Sequence, residues 1–252
     1  MKSKHFTLST FFLLLFVGLS GCNINGLYYE NVMGSGIVVS DVRQAKEFSG
    51  IRATGIFKVF VTIGDHWHVE VITDDNIQPY VDTRVEAHYL VIETKGRINF
   101  RPATKLHVHV TMPVISAVRS SGASSVYLES PIEHPYLYLH ASGSSDIFAE
   151  VYLDELEAIS SGSSDIHISG YAEVASVSAS GSSDFRGVDF SCEDVNVRLS
   201  GSSDAWMTVH QLGTGSLSGS SDLHLRGNAE VEVSTSGSSK VHRYNRVKLL
   251  ND

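Results

Sequence analysis

Cysteine is scarce: the 252 residues hold two, Cys22 and Cys192. Two cysteines cannot supply a Cys-type structural zinc site. If Cys22 is chemically committed elsewhere, no intramolecular disulfide is left, and packing and backbone hydrogen bonds must hold the fold. Positive charge is also short, with 19 Lys and Arg against 28 Asp and Glu for a formal charge of −9. Removal of residues 1–21 would take Lys2 and Lys4 and leave −11. That balance argues against a nucleic-acid partner and against electrostatic adsorption to anionic lipid. No apolar run is long enough to span a bilayer, since Leu8–Leu19 has only about a dozen residues. After residue 22 no stretch shows sustained helical periodicity. Gly-x-Ser-x-Gly, Walker and His-Glu-x-x-His motifs are missing as well, so catalytic residues are expected to be none.

What is present begins with an export signal. Lys2 and Lys4 precede the apolar run, which closes on Leu19-Ser20-Gly21-Cys22. Small residues before a cysteine resemble the bacterial lipobox. The expectation is a signal peptide over 1–21, lipidation of Cys22 and a membrane anchor through its acyl chains. Residues 22–46 contain Asn25-Gly26 and Gly34-Ser35-Gly36 without periodicity and read as a flexible tether.

From residue 47 the pattern is strand-like. Ile56–Ile63 is β-rich and ends at Gly64-Asp65, and Leu106-His107-Val108-His109-Val110 alternates strictly. From about residue 116 a repeat takes over. Ser121-Gly122-Ala123-Ser124-Ser125 is followed by Ser-Gly-Ser-Ser-Asp at 142–146, 161–165, 180–184, 200–204 and 218–222, and by Ser236-Gly237-Ser238-Ser239-Lys240. Successive glycines are 21, 19, 19, 20, 18 and 18 residues apart. A helix-free period near 20 fits one coil of a β-solenoid. Hence an all-β domain over 47–246 is expected, with an N-terminal β section (47–115), regular rungs (116–246) and a tail (247–252).

Aligned on the glycine, Val126, Ile147, Ile166, Phe185, Ala205, Leu223 and Val241 form an apolar column one residue after the Asp position. A second column, from Leu128 to Arg243, lies two residues further on, and a third, from Val118 to Val233, lies four before the glycine. These should face inward. The five-residue motif is the corner, where glycine adopts a backbone that others enter only with strain and Ser and Asp bond the backbone. Two columns should face out. One is Asp146, Asp165, Asp184, Asp204 and Asp222, whose stacked carboxylates repel by about 0.9 kcal/mol per neighbouring pair even in water. Backbone donors at the corner would offset this; a calcium ladder is the alternative, though no other cofactor is implied and the Gly-Gly-x-Gly-x-Asp calcium repeat is missing. The other is Tyr127, Phe148, His167, Arg186, Trp206, His224 and His242, a strip suited to stacking on sugar rings or a protein partner, or simply a ladder of mutually stacked side chains. His66 with His68, and His107 with His109, each share a strand face without a fixed carboxylate and read as solvent-facing.

Phe48-Ser49-Gly50-Ile51, Gly64-Asp65, Asp74-Asp75-Asn76, Val110-Thr111-Met112-Pro113 and the Ser-Gly-Ser-Ser-Asp series, in this order, resemble the DUF2807 family of head GIN domain auto-transporter adhesins, common among Bacteroidota lipoproteins. The resemblance covers roughly residues 46–245. It implies a right-handed parallel β-helix preceded by an N-terminal β section, an adhesin-like role in the cell envelope at the outer membrane, and no catalytic residues. Ser125 and Lys240 depart from the Asp position only in terminal copies, where solenoid rungs are atypical. Asn23-Ile24-Asn25-Gly26 lacks the acidic run expected for surface export, which leans toward a periplasm-facing anchor. Three roles stand open: a non-catalytic binding face for glycan or protein, a structural envelope component with a protein partner, and a polysaccharide-active β-helix enzyme.

Overall fold

A strand that bends at a glycine and continues is the building element of this chain. The computed structural model describes residues 30–96, 98–101 and 104–244, so Cys22, the signal segment and the tail from 247 lie outside them. The first strands are β1 (Glu30–Met33), β2 (Val38–Arg43), β3 (Gly50–Gly55), β4 (Lys58–Ile63), β5 (His68–Asp74), β6 (Val81–Glu86), β7 (Tyr89–Thr94), β8 (Ile98–Arg101) and β9 (Leu106–Met112). Then follow β10 (Ala117–Gly122), β11 (Ser125–Leu128), β12 (Ile132–Gly143), β13 (Asp146–Gly162), β14 (Asp165–Gly181), β15 (Asp184–Gly201), β16 (Asp204–Leu217), β17 (Asp222–Arg226), β18 (Glu230–Thr235) and β19 (Lys240–Tyr244). The described residues contain no α-helix, only a 3₁₀ turn at Gln78–Tyr80.

The repeat is a parallel β-helix of about seven turns with roughly 19-residue rungs. Its register follows the motif: Gly143 pairs with Gly162, Gly162 with Gly181 and Gly181 with Gly201. The one 20-residue step among the middle rungs is absorbed between Arg186 and Asp189, where the pairing slips by one residue and Val188 is left exposed. The two inward columns after the Asp position are buried from Val126 to Leu225, the column before the glycine is buried from Val118 to Val197, and the core is continuous along the axis. The last described rung departs: Val241 is half-buried and Arg243 is exposed, because among the described residues no further rung covers them. Cys192 is a buried free thiol whose pKa burial pushes up to about 12, which keeps it protonated and unreactive.

At each corner the glycine has φ near +80° and lies directly over the glycine of the previous rung. A Cβ on Gly181 would sit 2.6 Å from the Gly162 carbonyl oxygen. That closeness lets the next residue bond across rungs: the N–H groups of Ser163, Ser182 and Ser202 each donate to a glycine carbonyl at 2.7 Å. The second serine after the glycine points inward. Ser145, Ser164, Ser183, Ser203 and Ser221 are fully buried. Each hydroxyl donates to the carbonyl three residues earlier, at 2.8 Å for Ser183 to Ser180 and 2.9 Å for Ser164 to Ser161. The Ser183 and Ser164 oxygens also accept the N–H of those same residues, at 3.1 Å. Serine is required there because the site is buried, small, and needs both a donor and an acceptor.

Two boundaries differ from the sequence expectation. The coil begins earlier than residue 116: β3 and β4 form a rung in parallel register with β10 and β11, with Gly55 under Gly122 and Ala123 N–H donating to Gly55 O at 2.7 Å. Phe57 fills the inward serine position of this rung, and its N–H donates to Ser124 Oγ at 3.2 Å. Below it lie β7 and β9, parallel to β3 and β4, and the stack is then closed by antiparallel β6 on β7, β5 on β9 and β2 on β5. The expected tether of 22–46 also contains β1, paired with β8, and β2. The turn at Asp74-Asp75-Asn76 holds it: Asn76 Oδ1 accepts the Ser35 N–H at 2.9 Å, Asp74 Oδ1 accepts the Gly36 N–H at 2.9 Å, and Asn76 Nδ2 donates to Met33 O at 2.8 Å.

Gly181→Ala is expected to cost at least about 2 kcal/mol, from the left-handed backbone plus displacement of a hydrogen-bonded carbonyl. Ser183→Ala removes a buried hydroxyl that bonds both the N–H and the carbonyl of Ser180 and is expected to cost about 1–3 kcal/mol. Ser182→Ala, on the exposed side of the same corner, should stay within about 0.5 kcal/mol. Urea unfolding midpoints of the three variants check this ordering.

Candidate functional site

Strand alternation sends the residue two after each Asp position outward, and parallel register then stacks these residues rung on rung. All seven residues of the expected outer column are brought together. Register pairs join Tyr127 to Phe148, Phe148 to His167, His167 to Arg186, Arg186 to Trp206, Trp206 to His224 and His224 to His242. The column also continues past the repeat. Phe60 pairs with Tyr127 and His109 with Phe60, which makes nine positions over roughly 38 Å at normal strand spacing.

The rings lie face to face. Centroid separations are 4.9 Å for His109–Phe60, 5.1 Å for Phe60–Tyr127, 4.7 Å for Tyr127–Phe148 and 4.4 Å for Phe148–His167. Beyond Arg186 they are 4.9 Å for Trp206–His224 and 4.7 Å for His224–His242. All six pairs are tilted by 15° or less. The faces therefore cover one another and the edges meet solvent. A row of free ring faces for sugar stacking, one expectation from the sequence, is not what the geometry presents. It presents a ridge of ring edges, interrupted at its middle by an exposed guanidinium.

Arg186 ties this ridge to the carboxylate row beside it. Its Nε is 2.9 Å from Asp165 Oδ2 and its Nη2 is 2.9 Å from Asp184 Oδ2, while its guanidinium carbon lies 5.8 Å from the Trp206 ring centre. The other carboxylate oxygens face the backbone of the next rung. Asp165 Oδ1 accepts the N–H of Asp184 at 3.1 Å, Asp184 Oδ1 that of Asp204 at 3.1 Å, Asp204 Oδ1 that of Asp222 at 2.9 Å, and Asp222 Oδ1 that of Lys240 at 3.1 Å. These donors and Arg186 offset the repulsion along the row. Burial pushes the Asp184 carboxyl above its ordinary value, against the pull of the Asp204 N–H and of Arg186.

The inward serine hydroxyls of the motif are buried and bonded to backbone carbonyls, so these serines are not set up as nucleophiles. His66 bonds Asp65 at 2.6 Å on the surface, and Trp67 instead turns to donate to Phe48 O at 2.9 Å. His107 packs edge-on to Phe60 at 5.2 Å. Among the described residues no helix is long and apolar enough to cross a membrane.

The family model described as "DUF2807: Putative auto-transporter adhesin, head GIN domain" matches residues 47–229. The chain belongs to this family. Solved structures agree with the fold. A protein described as a "putative adhesin" from Bacteroides fragilis superposes with a TM-score of 0.77 at 16% identity, over 84% of this chain and all of that one. One described as a "putative lipid binding protein" from Parabacteroides distasonis superposes with a TM-score of 0.72 at 18% identity, over 85% of this chain and all of that one. A further "putative adhesin" from the same species gives 0.67 at 21% identity, again over 85% and 100%. No curated protein sequence matches the chain significantly. For this DUF2807 member the likeness shows the fold, and the family's adhesin character suggests a cell-envelope or surface protein.

Burial lowers the pKa of His167 and His224 below the ordinary imidazole value of 6.5, and does the same to His107 and His140. Unfolding restores the ordinary value, so below about pH 6.5 the unfolded chain takes up protons before the folded one does. The stability of these neutral rings is thus complete above pH 7 and is lost as pH falls toward their folded pKa values. Asp184, shifted upward, acts in the opposite sense and in the carboxylate range. The melting temperature should fall between pH 7.5 and 5.5, and His167→Phe, which keeps the stack on Phe148, should make the fall shallower.

Proposed function

We propose that this DUF2807 protein is a non-catalytic, adhesin-like binding module of the cell envelope, held at the outer membrane through lipidated Cys22. Its binding face is the ridge from His109 to His242 together with the Asp146–Asp222 row. The carrying observation is the nine-position ladder, two ring stacks joined by Arg186 in continuous backbone register, displayed on a backbone in which every rung is bonded to the next. Such a face cannot wrap a ligand. It suits an extended polar partner lying along the axis, and a glycan is the class it fits best. The Tyr127 hydroxyl, the Trp206 Nε1–H and the imidazole nitrogens belong to the ring edges, and hydroxyl groups of a sugar chain can bond these and the carboxylates beside them. The family's adhesin description supports the reading, and the burial and backbone bonding of the inward serines support the absence of hydrolytic chemistry.

A glycan array probed with the protein, with and without calcium, tests this. Edge recognition predicts that Trp206→Phe, which keeps the stack but removes the indole N–H, weakens binding about five- to tenfold, the value of one lost polar contact, with little change in melting temperature. Trp206→Ala should abolish binding and also cost about 1–2 kcal/mol, since it unstacks His224 and Arg186. Binding that both variants retain, or no glycan binding in either buffer, would contradict the proposal and favour a protein partner.

A further inference from the structure

The C-terminal end of the ridge differs chemically from the rest. Asp222 and His224 stand two residues apart on β17, so both point outward. His242 on β19 is the parallel partner of His224. One ligand atom from each of the three lies within 4.8 Å of the others. His242 Nε2 is 3.1 Å from Asp222 Oδ2, and the Tyr244 hydroxyl is 3.0 Å from His224 Nδ1. All three side chains are half-buried, which keeps them ordered yet reachable.

We infer that Asp222, His224 and His242 form a binding site for a divalent transition-metal ion, which clamps the last rung of the solenoid to the one before it. Two imidazoles and one carboxylate suit zinc, nickel or copper(II), whereas calcium and magnesium want oxygen donors throughout. Asp222 Oδ1 is committed to the Lys240 N–H, which fixes the carboxylate and leaves Oδ2 toward the histidines. Donors about 2.0–2.1 Å from one ion stand roughly 3.3 Å apart, so the group contracts on binding. The two rings are 4.7 Å apart and tilted by only 10°. An ion lies in the plane of each imidazole it binds, so one ring must turn about χ2, a soft torsion with broad wells. Water completes the coordination.

A similar group, Asp146, Asp165 and His167, lies mid-column. There Asp165 Oδ2 already bonds Arg186 Nε at 2.9 Å, so a guanidinium already engages one of the candidate ligand atoms. At the last rung the facing residue is Lys240, whose backbone pairs with Asp222 and whose side chain is exposed. Its charge opposes the ion without filling the site. The clamp has a structural purpose: β19 is bonded to β17 on one side only among the described residues, whereas inner rungs are held on both.

The test is calorimetric titration of zinc, nickel, copper(II) and calcium salts into the metal-stripped protein. The expected result is one transition-metal ion per chain, no calcium binding, and a rise in melting temperature with zinc. His224→Phe and His242→Phe keep the ring ladder, so they should fold, and each should weaken zinc by at least about tenfold, the lower end of what loss of even an outer-shell partner of a metal ligand costs. Lys240→Asp, which removes the opposing charge, should tighten it. Trp206 stacks on His224 at 4.9 Å, so bound copper(II) should quench its fluorescence in the wild type and not in His224→Phe. Absence of zinc and copper binding, or binding that survives both Phe variants unchanged, would overturn the site. Glycan binding is read separately, so failure here leaves the proposed function untouched, and the reverse holds.

Discussion

The corner glycine stack is the contact on which the molecule depends. A solenoid turns its backbone at the same place in every rung, and the polar groups there are buried by the rungs above and below, so each needs a partner. With no Cβ in the way, the chain of one rung sits close enough to the last for a 2.7 Å bond from the serine N–H to the glycine carbonyl, repeated from Ala123 to Ser238. The inward serine then satisfies what the turn leaves over. Glycine supplies the approach and serine the hydrogen bonds, and neither can do the other's work.

Once the corner is fixed, so is everything attached to it. Register locked at the glycine places Ile147 over Val126 and Ile166 over Ile147 inside, and Phe148 over Tyr127 and His167 over Phe148 outside. The outer ladder is therefore as regular as the core, although no packing against other elements holds it. Aromatic rings in a parallel ladder stack by their faces, as offset ring pairs favour. The carboxylates tolerate their own row because Asp165, Asp184, Asp204 and Asp222 each receive a backbone donor from the next rung, and Arg186 adds a cation between Asp165 and Asp184. The same regularity delivers the Asp222, His224 and His242 group to one place on the last two rungs.

Much of this was legible in the sequence. The glycine spacing identifies the rungs, alternation assigns Ile147 inward and Phe148 outward, and the Asp row with its backbone compensation follows from the corner chemistry. What was not legible has physical causes. The rung at β3 and β4 lacks the Ser-Ser-Asp signature, because Phe57 fills the inward position, and a long insertion carrying β5 to β9 separates it from its neighbour. Its signal is Gly55 followed by Val59, Phe60 and Val61 at the offsets of Gly122 and Val126, Tyr127 and Leu128, and that alignment also finds Phe60 as a ladder member. His109 joins only through the long-range pairing of β9 with β4. Residues 30–43 looked like a tether because their strands are short and mostly exposed on one side; the Asp74-Asp75-Asn76 turn that pins them is about 40 residues away. A ladder of mutually stacked side chains was one of two readings of the outer column; the choice between it and free ring faces depends on side-chain torsions that spacing does not encode.

Native-state hydrogen exchange of the corner amides tests the glycine stack most directly. The N–H groups of Ser163, Ser182 and Ser202 are expected to be among the slowest to exchange, to open together with the strand amides of their rungs, and to be slower than Ser238 at the end rung. Corner amides that exchange quickly while neighbouring strand amides stay protected would contradict the account. They would show that side-chain columns, and not the corner bonds, hold the rungs in register.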